Sequence, residues 1–360
     1  MATTMSNTAL QDSGNRSWRL AAIALLAIRF VQGWIYWGGG TRRFIYGPQK
    51  LDVHDHWMAY KFQTAMPGAI LGTDHLVAYL LHHFTLLYAG VIIFSAVEMI
   101  AGFMLIVGLY TRLAAVATLG LSFVLMLLFG WQGATCIDEW TMAASNFAMG
   151  TTLFLAGSGA YCVDNWLLSR KPELAKNGLF RWLGGALPLP VSDGAFKKFA
   201  LTLFWITVVF IVATYSYYRG SVFTPYHGGP VSPAKHHWKL DHTTLLTDGG
   251  VTFHVYVDSG VAAEPSNVLE AALVDISTGK PVEKWTSSTL SALPKSAFSN
   301  DFAYQQIHTG KFGITGPVGA QATVRLPSAM PSWATIGQGS YVLELTSVNG
   351  HVWKAPVQHP

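Results

Sequence analysis

Charge is what this sequence has least of. Asp, Glu, Lys and Arg make up 12% of its 360 residues, where a soluble domain carries about 25%. With 51% hydrophobic residues, that deficit argues against a wholly water-soluble fold and for a membrane protein. Cysteine is almost missing as well. Cys136 and Cys162 are the two present, so a disulfide framework is excluded. No CxxCH haem site, no CxxC pair and no flavin-type glycine fingerprint occurs, so no motif indicates a haem, flavin or metal cofactor. No Lys/Arg run of five or more appears, and the net charge of +4 is small; no nucleic-acid partner is expected. The first apolar run lacks a small-residue cleavage site at its end, so no cleaved signal peptide is expected.

What the sequence does hold is long apolar runs, and they lie before about residue 220. Five are near the roughly 20 residues a membrane helix needs: Trp18–Trp37, Phe84–Leu109, Leu113–Gly130, Trp140–Ala160 and Phe199–Tyr218. Positive charge sets the orientation. Arg16, Arg19, Arg112, Arg170, Lys171, Lys176, Arg181, Lys197 and Lys198 share one side of a five-span chain. Taking that side as cytoplasmic puts the N-terminus inside. The loop Gly38–His83, the stretch Trp131–Trp140 and everything after Tyr218 then lie outside. Arg42, Arg43, Lys50 and Lys61 in the first outer loop run against the rule, as would cations retained to bind an anion. From about Arg219 the texture turns to short β-type runs, including "VTFHVYV" and "VLEAALVDI", with Asn349-Gly350 between alternating runs as a hairpin signal. The expected fold is an α-helical membrane bundle of four helices plus one tethering helix, followed by an all-β, sandwich-like extracytoplasmic domain. Its boundaries are a mobile 1–17, a bundle at 18–170, a cytoplasmic loop at 171–198, a fifth helix at 199–218 and the β-domain at 219–360.

Two charges fall inside spans: Arg29 in the first and Glu98 in the second. Neither suits lipid, at about 2.5–3.5 kcal/mol for a mid-span Arg, so the two are expected to pair within the bundle. One role is a structural ion pair. The other is a quinone site, with Glu98 moving a proton and Arg29 holding a carbonyl oxygen. Trp34, Tyr36 and Trp37 close the first span, either as an interfacial belt or as pocket walls. Gly38-Gly39-Gly40 is expected to break the helix and open backbone N–H groups to an anion. Arg42 and Arg43 follow, suited to a multi-oxygen anion or to lipid phosphate and solvent.

With these residues in place, a family resemblance emerges. "VEMIAGFMLIVGLYTRLAAV" (Val97–Val116) resembles the signature of DoxX/DoxD-type membrane proteins: a Glu in the second span, spaced glycines, then a Gly-x-x-Thr-Arg turn. "GSGAYCVD" (Gly157–Asp164) resembles the end of their fourth helix, and "CIDEW" and "GWIYWGGGTRR" are similar to the DoxD branch. One further span with a β-rich tail is similar to DoxA. Together they resemble the fused form of thiosulfate:quinone oxidoreductase. The resemblance implies that two thiosulfate ions become tetrathionate outside the cytoplasmic (inner) membrane while a quinone from the membrane pool is reduced. Quinone is then an electron-accepting substrate, and the partners are thiosulfate, the quinone pool and the lipid bilayer, with a homo-oligomer left open.

In that light Cys136, at the mouth of a span beside Asp138 and Glu139, is a candidate sulfur carrier: a thiolate among arginines that holds thiosulfate as Cys–S–S–SO3⁻. A packed thiol and a disulfide to a second subunit are the alternatives. Asp138 or Glu139 would assist protons or orient Arg42 and Arg43, and Trp131 joins Trp34 and Tyr36 at the quinone head group. Cys162 is expected to be structural. His54, Asp55 and His56 have no third ligand at a telling spacing, so no metal is assigned. His82 and His83 are interfacial or pass quinol protons outward. The rival functions are a non-catalytic membrane anchor for a partner, since the DoxX group includes members without this activity, and a quinone enzyme for another reduced sulfur compound.

Overall fold

The structure, a computed structural model, describes residues 7–46, 51, 56–133, 139–159, 161–223, 228–328 and 339–359. It divides into two compact units: residues 1–55, 88–127 and 139–216, and residues 56–87, 128–138 and 217–360.

The first unit is helical. Helices α1 (Asn7–Ala24) and α2 (Leu26–Thr41) form one run bent by 46° at Leu25, and α2 runs on into a π-helical turn, Arg42–Tyr46. The other helices in chain order are α3 (Trp57–Ala65), α4 (Thr73–His82), α5 (Phe84–Val107), α6 (Thr111–Phe129), α7 (Glu139–Ala156), α8 (Val163–Arg170), α9 (Gly178–Leu183) and α10 (Asp193–Arg219). Of these, α3 and α4 belong to the second unit. Helices α5, α6 and α10 are long and apolar enough to cross a membrane, and the bent α1–α2 pair makes a fourth. Helix α7 has 18 residues, but Glu139, Ser145 and Asn146 leave it less apolar than these. Helix α10 is mostly exposed along its apolar length. It meets α6 and α7 through Phe210, whose ring lies 5.3 Å from Phe123 and 5.0 Å from Phe147.

The expected break at Gly38–Gly40 does not occur; the helix continues through all three glycines. The physical reason is packing. A Cβ at Gly40 would lie 2.7 Å from the Met99 backbone, and one at Gly33 would lie 2.9 Å from the carbonyl oxygen of Gly102. Small residues let the backbones of α2 and α5 approach closely, which is how helices associate where lipid removes the hydrophobic drive.

The second unit is built on antiparallel strands: β1 (His237–Leu245), β2 (Val251–Ser259), β3 (Ser266–Asp275), β4 (Pro281–Trp285), β5 (Phe298–Asn300), β6 (His308–Gly310), β7 (Gly313–Gly316), β8 (Gln321–Leu326), β9 (Tyr341–Ser347) and β10 (Val352–Val357). One sheet has the order β1-β2-β8-β5, the other β10-β9-β3-β7-β6 with β4 also on β3. Alternation decides the faces: along β2, Val251, Phe253, Val255 and Val257 are fully buried while the residues between them are not. The Asn349-Gly350 turn joins β9 to β10, with Gly350 at φ 80° where a Cβ would be disfavoured. Buried Gln63 and Thr64 fasten helix α3 to the rest of this unit; Thr64 Oγ1 accepts from Gln305 Nε2 at 2.9 Å. Gln63 Nε2 donates to Gln305 O (2.9 Å) and Gly319 O (3.0 Å), and its Oε1 accepts from Gln305 N (2.8 Å).

Candidate functional site

The site sits on one face of α2. Buried along it are Arg29, Gln32, Gly33, Tyr36 and Gly40, and the π-helical turn extends the same stripe to Arg43. Residues three or four apart share a helix face, so the 29-32-36-40-43 series is one line of groups.

At its far end the expected partner of Glu98 is replaced. Arg43, not Arg29, forms the ion pair: its Nη1 donates to Glu98 Oε2 and approaches Ser95 Oγ at 3.5 Å. The two side chains are 15% and 12% exposed, so the pair is sheltered but reachable. Glu98 lies over Gly39, where an added Cβ would come within 3.4 Å of Oε2. Arg42 stands exposed on the same turn. Tyr36 is buried about two turns back. Its hydroxyl donates to Thr118 O (3.1 Å) and pairs with Ser122 Oγ (2.7 Å). Gln32 Nε2 donates to Asn146 O (2.9 Å) and Thr118 Oγ1 (3.3 Å). Buried polar side chains in membrane helices are functional candidates by default. The stripe supplies a guanidinium and a phenol, and α5 supplies the Glu98 carboxylate that meets Arg43.

Arg29 has a different task. Its Nη1 and Nη2 donate to the carbonyls of Ser158 (3.1 Å) and Tyr161 (2.8 Å). A cation on carbonyls just beyond the C-terminal end of α7 satisfies groups the helix cannot. Two more charges, both missed as site residues in the sequence, build the same end. Arg112 is fully buried and donates to Phe154 O (3.0 Å), Arg181 O (3.3 Å), Gly184 O (2.5 Å) and Leu187 O (2.8 Å). Asp164 accepts from Tyr110 N (2.7 Å), Thr111 N (3.2 Å) and Gly185 N (2.7 Å), and so caps α6. Burial raises the Asp164 pKa, and the three N–H donors and Arg112 act against it. The Gly-x-x-Thr-Arg turn is therefore a folding knot. Cys162 belongs to it: its thiol is free, donates to Gly159 O (3.0 Å) and accepts from Asn165 N (3.3 Å) to cap α8.

The remaining candidates scatter. Trp34 is exposed and stacks on Phe30 at 5.8 Å, an outward aromatic pair. Trp131 lies in the second unit, 1% exposed, with its indole N–H on Ala65 O at 2.9 Å and its ring against Gly68. Glu139 opens α7, where a carboxylate suits the helix N-terminus. Cys136, Asp138, His54 and Asp55 lie outside the described residues. His56 packs between Phe84 (5.1 Å) and Tyr304 (5.5 Å), and His82 against Phe302 (4.8 Å). His83 Nδ1 lies 2.7 Å from Tyr79 O. Among the described residues no group of three or more His, Cys, Asp or Glu could hold a metal.

Fold and site together define a membrane protein with an ion pair inside its helical unit and an all-β C-terminal half. The comparison with protein families is specific. Residues 24–190 match the family described as TQO small subunit DoxD, and residues 218–356 match TQO small subunit DoxA. The chain belongs to the thiosulfate:quinone oxidoreductase family and carries both segments in one polypeptide, the fused DoxD–DoxA form.

Proposed function

We propose that this chain oxidises two thiosulfate ions to tetrathionate at the outer face of the inner membrane and passes both electrons to a membrane quinone. Beyond family membership, the observation that supports this is the sheltered Glu98–Arg43 pair, with Arg42 beside it and Tyr36 behind it. A quinone carbonyl becomes a hydroxyl as electrons arrive. Arg43 stabilises the developing oxyanion and Glu98 delivers a proton to it. Overall, two thiosulfates, one quinone and two protons give tetrathionate and quinol.

Sulfur passes through Cys136 in this proposal. A bond forms between the Cys136 thiolate and the terminal sulfur of the first thiosulfate, two electrons leave to the quinone, and two protons complete the quinol. The product on the chain is Cys–S–S–SO3⁻. The second thiosulfate attacks the sulfane sulfur, tetrathionate departs and the Cys136 thiolate is restored. Arg42 and Arg43 draw the anion, Asp138 and Glu139 orient them, and five spans with the N-terminus inside place the β-domain in the periplasm.

The test is thiosulfate-dependent reduction of a soluble quinone analogue by the detergent-purified chain, with tetrathionate assayed alongside. Two thiosulfates consumed per quinol, lost in Cys136→Ser and Glu98→Gln, is the expected result. A folded chain that reduces no quinone sinks the proposal and leaves the membrane-anchor role.

A further inference from the structure

Residues 161–198 join the end of α7 to the apolar length of α10, and they are held against the helix ends from inside. Arg112, in the first turn of α6, takes the carbonyls of Arg181, Gly184 and Leu187, and Asp164 accepts from Gly185 N. The segment belongs to one unit with α6, α7 and α10. It therefore lies where those helices meet the membrane surface.

Its outer side carries two kinds of group. The first is apolar. Trp166, Leu179 and Trp182 are 54%, 67% and 46% exposed, on helices of eight and six residues that are too short to cross a membrane. Such side chains are poorly placed in water and well placed at the boundary between headgroups and acyl chains. The second is cationic. Arg170, Lys171, Lys176, Arg181, Lys197 and Lys198 are all exposed, while the exposed carboxylates of the segment are Glu173 and Asp193 alone. The two kinds meet. The Arg170 guanidinium lies 5.3 Å from the Trp166 ring centroid, and Arg181 and Trp182 are neighbours on α9. A soluble anion would satisfy the cations and leave the tryptophans in water. A neutral lipid would cover the tryptophans and leave the cations without a counter-charge. A ligand with an anionic head and apolar tails satisfies both.

We propose that this surface binds anionic phospholipid, its acyl chains against Trp166, Leu179 and Trp182 and its headgroup phosphate on Arg170, Lys171 and Arg181. Arg112 grips the backbone carbonyl of Arg181 from below, so a lipid held on the Arg181 side chain braces the end of the bundle from outside. Binding does not depend on quinone chemistry.

The test uses the full chain, delipidated in a neutral detergent and titrated with phosphatidylglycerol or with phosphatidylcholine of the same chain length. Retained lipid is read by native mass spectrometry and stability by melting temperature. Phosphatidylglycerol should be retained more tightly and should raise the melting temperature more. The combined substitutions Arg170→Gln, Lys171→Gln and Arg181→Gln leave the Arg181 carbonyl in place and should lower the preference about fivefold per cation at low salt. Trp166→Ala should weaken retention of both lipids and keep the preference. Added salt should narrow the difference between the lipids in the unsubstituted chain, a reading that holds even if the triple variant fails to fold. Inorganic phosphate alone should leave the melting temperature unchanged. Equal retention of the two lipids, a preference that survives the triple variant or high salt, or a phosphate shift matching that of phosphatidylglycerol overturns the proposal.

Discussion

The two units bury opposite things. In the helical unit the outward faces carry Phe30, Trp34, Ile93, Phe204 and Val209, while Arg29, Gln32, Glu98, Arg112 and Asp164 are buried. In the β-unit the interior is Val251, Phe253, Leu273, Leu343 and Leu345, and charges pair on the outside, as Asp248 with Arg325 and Glu344 with Lys354. Each surface follows its solvent: apolar toward lipid, charged toward water. The lesson concerns where to look for chemistry. In the helical unit a buried charge is the rule, so its partners decide whether it folds the protein or serves the reaction. In the β-unit the charges sit at the surface, and the buried polar groups left without a partner among the described residues are uncharged: Trp238, Thr243, Ser291 and Trp353.

The largest break in this comparison should come from Arg112. Replacing it with Ala strands four carbonyls and leaves Asp164 without its cation. An unsatisfied buried acceptor costs about 1–3 kcal/mol, and four together are comparable to the roughly 5–15 kcal/mol of net stability a domain holds. Arg112→Ala should therefore abolish the monodisperse detergent-solubilised fold, read as an aggregated or absent size-exclusion peak. Arg112→Lys restores charge without the planar fork that reaches four oxygens, so it should rescue the peak only in part. A stable Arg112→Ala chain would mean that the inner knot does not hold the bundle.

Next comes the pair that separates chemistry from packing. Glu98→Gln keeps shape and hydrogen bonding and removes the proton-bearing group. If Glu98 is a general acid–base group, quinone reduction should fall by about 100-fold or more in kcat while the melting temperature moves little. Arg43→Gln should instead raise KM for the quinone or thiosulfate as well as lowering kcat. Arg29→Gln gives the contrasting result: loss of stability with kcat per folded molecule nearly intact, since Arg29 holds carbonyls of the chain itself.

The pattern of what was legible in the sequence follows from the same physics. Span lengths and the alternation along β2 and β9 are properties of single segments, and they read directly as apolar helices followed by an all-β half. The Arg29–Glu98 pairing did not survive because depth in a bundle depends on where each helix ends. Stopping the first span at Trp37 hid the helix that carries Arg43 about 14 residues, roughly 21 Å at 1.5 Å per residue, beyond Arg29. The signal was present: positions 29, 32, 36, 40 and 43 lie on one helical face. The triple glycine misled because glycine serves helix breaking and close helix packing equally well, and only the Met99 backbone opposite Gly40 decides between them. Arg112 counted as an inner-face charge, yet the fold surrounds it with carbonyls. The fastening of α3 had no signature either, because Gln63 bonds to backbone groups that any residue offers.

That fastening predicts an intermediate effect. Gln63→Leu fills similar space but leaves Gln305 N, Gln305 O and Gly319 O without their partner. The loss should be about 2–3 kcal/mol, seen as a lower melting temperature for the β-unit and faster proteolysis of it in detergent. Gly319 offers a second way in. At φ 89° its added Cβ would run into the Gln63 carbonyl, so Gly319→Ala should loosen the same contact without changing any polar group. Matching shifts from both substitutions would place the effect at the α3 junction; a silent Gln63→Leu would assign that junction no share of stability.

The smallest effect should come from the outward charges of the β-unit. Asp248 and Arg325 pair across the surface with about half of each side chain exposed, 54% and 56%. The backbone N–H of Gly250 and then Arg325 hold the Asp248 carboxyl below its ordinary pKa, but water and salt screen an exposed pair, and such pairs contribute between about 0 and 1 kcal/mol. Arg325→Gln should shift denaturant stability within that range and lose even this at high salt, while thiosulfate oxidation is unchanged. The stabilisation from Asp248 is present above its unfolded pKa and fades as pH falls through the lower folded value, so Arg325→Gln and the parent chain should converge in acid. A difference between them that survives both high salt and low pH would show that the pair is packed rather than solvated, and the contrast between a charged inside and a charged outside would have to be redrawn at that edge of the sheet.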